Sequence, residues 1–591
     1  MSLPSLDDLV DEWLRLDKNE NTRVEIQKLR NADDTRELEM RMRVRIQFGT
    51  AGLRGKMEAG WSRMNDLVII QASQGLCAYV LENIKNAACR GVVVGHDHRY
   101  NSERWAQLTA AAFIASNVKV YLHRGLVHTP LVPFSVKQLD AACGVMITAS
   151  HNPKQDNGYK VYWENAVQII GPHDKGIAGA ITENLVPRTW DISQLHQNGL
   201  CIDCTQDMKD AYFNSLLHLN FSSPRQTTAK FVNTSMHGVS NAFAVQAFEI
   251  SGFNQFIPVE EQKHPDPDFP TVNFPNPEEK GALDLAIKTA GNEMATHVLA
   301  QDPDADRFSA AEKNYDGTWF LFTGDQLGAL FAYYVLETYR TAGKPLDKLA
   351  MVASTVSSKM IEAMAQAEGF TFVECLTGFK FIGNTALDLA RAGYEVPFGY
   401  EEAIGFMFGS EIRDKDGIAA TLVFAKLVAT LRERGLSVKD QLEQLYQKYG
   451  YFETRNSYFI CSDPVTIDKI FSELRAFSSD SNYPESIANL SITGVVDLTV
   501  GHGYDSTNHP SFEPKLPLSS GHMIQFRAQS RISDGPKIAL TIRTSGTEPK
   551  IKYYLEGNGK NRDEVHRLLP RVVEDLKGRW MKASANNLGS P

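Results

Sequence analysis

The sequence predicts an α/β protein with several domains: three similar α/β domains followed by a smaller α+β domain. Three observations carry this. Short β-branched runs such as "GVVVG" and "GVMIT" alternate with helix-length segments, the pattern of strands in a two-sided parallel sheet. The alternation starts again at "KFVNTSMHGV" near residue 230 and at "LAMVASTVSS" near residue 349, which indicates a repeated unit. The 591 residues also exceed what one core supports, since cores stop growing near about 250–300 residues.

Along the chain, residues 1–46 are charged and helical, with apolar positions at 6, 9, 10, 13, 14 and 16 in "LDDLVDEWLRL". "FGTAGLRGKMEAG" holds four glycines in thirteen residues and reads as loop. Helices are expected over about 66–88 and 102–117, with strands at "VKVYL" and "GVMITAS". "THVLAQDPDADRFSAAEK" reads as strand, loop and return strand, and the proline-rich "FPTVNFPNPEEKG" as an exposed loop. In "KIALTIRTSGTEPKIKYYLEG" two alternating strands flank a turn, with Ile538, Leu540 and Ile542 on one face and Ile551, Tyr553 and Leu555 on the facing strand. A terminal helix, "RDEVHRLLPRVVEDLKGRW", closes the chain. The expected boundaries are 1–222, 223–322, 323–449 and 450–591.

Composition excludes several classes. The chain is 43% hydrophobic and 22% charged with a net charge of −10, so it lacks the basic field of a nucleic-acid binder. No run approaches the roughly 18 apolar residues of a membrane span, and the acidic N-terminus is unlike a secretion signal. Seven scattered cysteines suit reduced thiols in the cytosol. Cys201 and Cys204 in "CIDC" have no second ligand pair at zinc spacing. The expectation is a cytoplasmic monomer without nucleic-acid or membrane partners. An anionic substrate would then need positive charge gathered locally against the global field.

"DPDADR" places Asp302, Asp304 and Asp306 at alternate positions after an apolar run. Three carboxylates held that closely repel unless a cation joins them, and hard oxygen ligands suit Mg²⁺. An EF-hand is excluded, because its required glycine and final carboxylate would fall on Arg307 and Lys313. "GVMITASHNPKQDNGYKVYW" ends a strand at Ser150, beside His151 and ten residues before Lys160. No Gly-x-Ser-x-Gly elbow surrounds this serine, so a charge-relay hydrolase is poorly supported. A phosphate ester of Ser150 fits better, since such a dianion needs Mg²⁺ and cationic donors and the chain holds both. In "RTSGTEP", Arg543 opens a turn whose hydroxyls and glycine can surround an anion.

"TASHNP", "DPDADR", "EEAIGF" and "RTSGTEPKIK", with "GTAGLRG" near the start, resemble the α-D-phosphohexomutase family, in its phosphoglucomutase/phosphopentomutase branch, over nearly the whole chain. The resemblance implies four domains, three with mixed sheets plus the smaller last one, around a central cleft. It implies that Ser150 carries the phosphoryl group and holds Mg²⁺ together with Asp302, Asp304 and Asp306. Arg54 and Arg307 would steady the transferring group, with Lys160 as general base or acid and His151 beside the serine. Thr377, Gly378, Glu401 and Lys415 would contact the sugar. Arg543, Ser545, Gly546, Thr547 and Lys552 would bind the non-reacting phosphate. The implied reaction interconverts sugar 1-phosphates with 6- or 5-phosphates, with glucose 1,6-bisphosphate or an equivalent sugar bisphosphate as activator. Alternatives are a glucose 1,6-bisphosphate synthase, a metal-dependent phosphatase and a non-catalytic sugar-phosphate binder. Where hexose-handling members often carry Glu-Glu-Ser or Glu-Met-Ser, this chain has Ala403 after Glu401 and Glu402, which leaves room for pentose phosphates.

Overall fold

The computed structural model describes residues 4–49, 52–219, 227–477, 483–545 and 549–590. They form two compact units: Met1–Lys344 with Gly378–Val438, and Pro345–Thr377 with Lys439–Pro591.

In the first unit the charged N-terminal segment forms three helices, Leu6–Leu16, Glu20–Asn31 and Thr35–Met42. Ser5 and Asp8 make a capping box that starts the first of them. Its apolar stripe buries Val10, Trp13 and Leu16 with Trp61 and Leu67. A six-stranded sheet follows, in the order Leu53–Lys56, Asp156–Tyr162, Cys143–Ile147, Val92–His96, Val120–Leu122, Cys201–Asp203. The last four strands are parallel, as the β-branched runs predict. The first two are antiparallel additions at one edge. A parallel reading of this sheet is therefore correct for four of its six strands. The reason is local: the ten-residue step from Ser150 to Lys160 is a hairpin, too short for a helical crossover.

A five-stranded sheet runs Trp319–Leu321, Phe308–Lys313, His297–Gln301, Phe231–Thr234, Ile257–Pro258. The strand–loop–strand around "DPDADR" is its antiparallel hairpin. The long helix Gly417–Glu433 is buried over most of its length, and the hairpin Glu395–Glu401/Gly405–Phe408 packs against it.

The second unit holds a parallel pair, Leu349–Ser354 with Thr371–Cys375, and an antiparallel sheet built on Met523–Gln529, Lys537–Thr544 and Lys550–Gly559. Ile538, Leu540, Ile542, Ile551, Tyr553 and Leu555 all lie in its core, beneath the helix Arg562–Asp575.

Candidate active site

The serine loop hangs between the antiparallel strands Cys143–Ile147 and Asp156–Tyr162, where Met146 faces Lys160 and Ile147 faces Tyr159. Strand alternation sends Tyr159 and Val161 into the core and turns Lys160 to the opposite face. Ser150 has a left-handed backbone, φ 53°, uncommon for a residue with a Cβ and a mark of imposed geometry. Two devices impose it. The Ser150 amide donates to Thr148 Oγ1 at 3.0 Å. One guanidinium, Arg99, donates to the carbonyls of Ser150, Asn152, Pro153 and Asp156 at 2.6–3.2 Å.

The aspartates close over this loop. Ser150 Oγ donates to Asp302 Oδ2 at 2.8 Å and lies 3.2 Å from His151 Nδ1. Asp302 Oδ1 accepts the amides of Asp306 and Arg307, which folds residues 302–307 into a tight turn. One oxygen each of Asp302, Asp304 and Asp306 fall within 4.8 Å of one another, all buried. Like charges that close repel by roughly 3–4 kcal/mol per pair at an effective dielectric of about 20. Burial and its two neighbours accordingly push the Asp302 carboxyl well above the ordinary range.

Lys160 Nζ supplies part of the compensation, bonding Asp304 Oδ2 at 2.7 Å and Asp306 Oδ2 at 3.0 Å. Burial alone would lower Lys160, but the two carboxylates outweigh it and hold the ammonium charged. Lys415 adds a contact to Asp306 Oδ2 at 3.4 Å. Even so, Asp304 Oδ1 and Asp306 Oδ1 are buried without hydrogen-bond partners among the described residues. Orphaned, hard, anionic oxygens on a fixed turn are what a divalent cation such as Mg²⁺ takes, so the residues fit a metal.

Arg307 and Arg54 stand at the rim of this arrangement. Burial would lower Arg307, yet Asp302 and Asp306 more than compensate and keep it charged. Its Nε has no partner among the described residues. Arg54 Nη1 donates to Asn152 Oδ1 at 3.2 Å. His151 is driven well below its ordinary value by burial and then by Arg307 and Arg54, so beside the serine it is a neutral hydrogen-bonding group. Three expected sugar contacts, Gly378, Glu401 and Lys415, belong to the same unit. Glu401, 8% exposed at the end of its strand, is pushed up to about 7, chiefly by burial. Lys415 Nζ lies 5.1 Å from the centre of the Phe379 ring. Gly378 caps the helix Phe379–Arg391 at φ 112°, open mainly to glycine.

Thr377 closes a segment of the second unit, and its Oγ1 is buried without a partner among the described residues. Arg543 and Lys552 face each other directly across neighbouring strands. Like charges opposed in this way are unfavourable unless an anion lies between them. Arg543 Nη2 donates to Tyr554 Oη at 2.9 Å, while its Nε is buried without a partner among the described residues. The Ser545 amide donates to the Lys550 carbonyl at 2.9 Å. Gly546 and Thr547 lie outside the described residues.

Sequence reasoning missed three residues. Thr129 Oγ1 donates to Asp304 Oδ2 at 2.6 Å from 175 positions away; a lone threonine in "VHTP" gives no signal. Arg99 stands in "GHDHR", a polar cluster after a strand that could have been flagged. Asp414, next to Lys415, accepts both its amide at 2.7 Å and its ammonium at 3.4 Å.

Comparison with known proteins identifies the family. Residues 45–186, 210–317 and 323–449 match α/β/α domains I, II and III of phosphoglucomutase/phosphomannomutase. The chain belongs to the phosphoglucomutase/phosphomannomutase family. Among family relatives, the probable phosphoribomutase of Schizosaccharomyces pombe is 44% identical over 594 residues, covering 100% of both chains. The human glucose 1,6-bisphosphate synthase is also 44% identical, over 608 residues, covering 99% of this chain and 96% of that one. Among solved structures, the open form of parafusin, a phosphoglucomutase from Paramecium, aligns with a TM-score of 0.66 at 19% identity, over 91% of this chain and 95% of that one. It shares the fold of this family member.

Proposed function

We propose that this chain is a phosphomutase that moves a phosphoryl group between the 1- and 5-positions of ribose or deoxyribose, and between the 1- and 6-positions of glucose, by way of phospho-Ser150. The observation that carries the reading is the Ser150 hydroxyl held 2.8 Å from Asp302 within a buried triad of aspartates. The 44% identity to a probable phosphoribomutase over the full length supports the pentose assignment.

Phosphoryl transfer asks the protein for in-line positioning and charge neutralisation more than for covalent chemistry. Asp302, Asp304 and Asp306, with an oxygen of phosphoserine, would hold Mg²⁺. When bound it offsets charge on the transferring oxygens. Arg54 and Arg307 steady those oxygens from the rim. Ser150 Oγ, released as the leaving oxygen, would receive a hydrogen bond or proton from a neighbouring group such as His151, 3.2 Å away, with Lys160, bound to Asp304 and Asp306, as general base or acid on this reading. The sugar hydroxyls rest on Thr377, Gly378, Glu401 and Lys415. The non-reacting phosphate rests on Arg543, Ser545, Gly546, Thr547 and Lys552. A sugar bisphosphate formed in this way turns over, and Ser150 takes back the other phosphoryl group. On this reading the four sequence domains, 1–222, 223–322, 323–449 and 450–591, each bring one loop. The protein acts as a cytoplasmic monomer.

The test is a side-by-side turnover assay with glucose 1-phosphate, ribose 1-phosphate and deoxyribose 1-phosphate, with and without glucose 1,6-bisphosphate. Isomer formation is expected, with label from the bisphosphate appearing on Ser150. Release of free phosphate without isomer would overturn the reading in favour of a phosphatase. The relative named glucose 1,6-bisphosphate synthase favours a second reading, tested by adding 1,3-bisphosphoglycerate as donor. Bisphosphate made from that donor faster than isomer is formed would assign synthase activity.

A further inference from the structure

Within the first unit, away from the serine and the aspartates, lies a cavity of about 420 Å³, a size ordinary for small-molecule sites. Its walls are largely apolar, with Leu219, Val335, Val396 and Pro397 beside the rings of Tyr339 and Tyr394. Arg413 also lines it and is only 6% exposed. Its Nη1 donates to the carbonyls of Val396 at 2.8 Å and Gly409 at 3.1 Å. Its Nε is buried with no partner among the described residues.

The charges around the cavity leave this guanidinium uncompensated. Lys344 is matched by Glu395 at 2.6 Å. Glu411 is engaged by Lys137, Gln138 and Ser410, all at 3.2 Å. Burial outweighs the distant pull of Glu411 and draws Arg413 down to about 10. A buried, unpaired cation is costly, and here its Nη1 is fixed on backbone carbonyls, so the Nε–Nη2 edge remains. That edge is the one with which a planar guanidinium grips two oxygens of one anion.

We infer that this cavity is a second binding site, taking a small oxyanion, a carboxylate or phosphate monoester, on an apolar or aromatic body. The site reaches the catalytic residues through the chain itself. Arg413 is followed by Asp414, which accepts Gln168 Nε2 at 3.0 Å and the Lys415 amide at 2.7 Å, and Lys415 contacts Asp306. The Arg413 carbonyl packs so closely on Gly383 that a Cβ built there would lie 2.2 Å from it. Occupancy therefore shifts Lys415 and with it the rate of the proposed reaction; that last step rests on the phosphomutase reading, whereas binding does not.

Calorimetric titration of the full chain with 2-naphthoate, phenyl phosphate and neutral 2-naphthalenemethanol tests this. Saturable binding of an acid is expected, with the alcohol at least tenfold weaker. The arm that binds, carboxylate or phosphate, identifies the head group. Arg413→Met should remove binding. Ala342→Trp, an exposed change at the cavity lining, should block entry while leaving Arg413 in place, so the test survives if the first variant misfolds. Absence of saturable binding, equal binding of the alcohol, or binding unchanged in Ala342→Trp would overturn the site. None of these results involves Ser150, so they leave the phosphomutase reading standing; a bound acid that leaves turnover unchanged removes only the coupling to Lys415.

Discussion

Ser150 and Asp302 form the contact on which the proposed chemistry turns. The serine's left-handed backbone and the four carbonyls gripped by Arg99 aim its hydroxyl at an acid 152 positions away. Ser150→Ala removes that oxygen and nothing else from the loop, so turnover and phosphoprotein labelling should vanish while calorimetric affinity for a sugar bisphosphate stays within about threefold of the parent. Retained mutase turnover would reject the carrier role. Glu401 gives a pH prediction. Its ordinary value is 4.5 and burial lifts it to about 7, so the folded chain holds that proton more tightly than the unfolded chain. Its contribution to stability is full below 4.5 and is lost as pH rises through about 7. In the metal-free protein, Glu401→Gln should therefore flatten the fall in denaturation midpoint between about pH 5 and pH 8. If Glu401 holds the sugar as proposed, it should also remove a rise in kcat/KM over the same range, because the ionised carboxylate is the stronger acceptor for sugar hydroxyls. An unchanged pH profile counts against the role of Glu401.

The helix Gly417–Glu433 shows how elements set the aspartate turn proposed to hold the metal. Asp416 caps it, accepting the amides of Ile418 at 3.0 Å and Ala419 at 2.9 Å, and also takes Tyr212 Oη at 3.0 Å. Asp416→Ala forfeits the cap, roughly 1 kcal/mol, and leaves a buried tyrosine hydroxyl unpaired, about 1–3 kcal/mol more. Its denaturant midpoint should fall accordingly; a loss under about 0.5 kcal/mol would show the cap to be dispensable. Gly417 approaches the metal turn so closely that a Cβ would meet the Arg307 carbonyl at 2.4 Å and that of Ala305 at 2.8 Å. Gly417→Ala must push residues 305–307 away. The Mg²⁺ concentration for half-maximal activity should rise at least tenfold, and activity at saturating Mg²⁺ should recover in part. Unaltered Mg²⁺ dependence would mean that the turn yields without moving its carboxylates.

At the scale of the whole molecule, a chain of net charge −10 must gather an anion against its own field. On the proposed reading it does so by grouping cations: Arg54, Lys160, Arg307 and Lys415 in one unit, and Arg543 opposite Lys552 in the other. The division of labour predicts different kinetic signatures. Arg543→Ala should raise KM for the sugar phosphate more than tenfold and change kcat far less, since a non-reacting phosphate bound there, as proposed, would be held alike in ground and transition states. A pure kcat effect would place Arg543 elsewhere in the mechanism. Chelation with EDTA should abolish turnover and Mg²⁺ restore it, while Ca²⁺, too large for near-octahedral geometry, restores little.

Much of this was legible in one dimension. The alternating runs gave the strands, because side-chain period follows directly from strand geometry. "DPDADR" pointed to one cluster of carboxylates, since alternate positions of an extended segment face the same way, and the three aspartates do converge. The last hairpin and its two faces could be read residue by residue. The sequence could not place Ser150 against Asp302, or supply Thr129 to Asp304 and Arg99 to the serine loop, because these contacts join positions 51 to 175 apart. Nor could it show that Arg413 is buried with its Nε unpartnered among the described residues. Local pattern determines which groups a chain owns and which way each faces on its own element. Only the packing of distant elements decides which charges meet, and burial then sets how strongly each one counts.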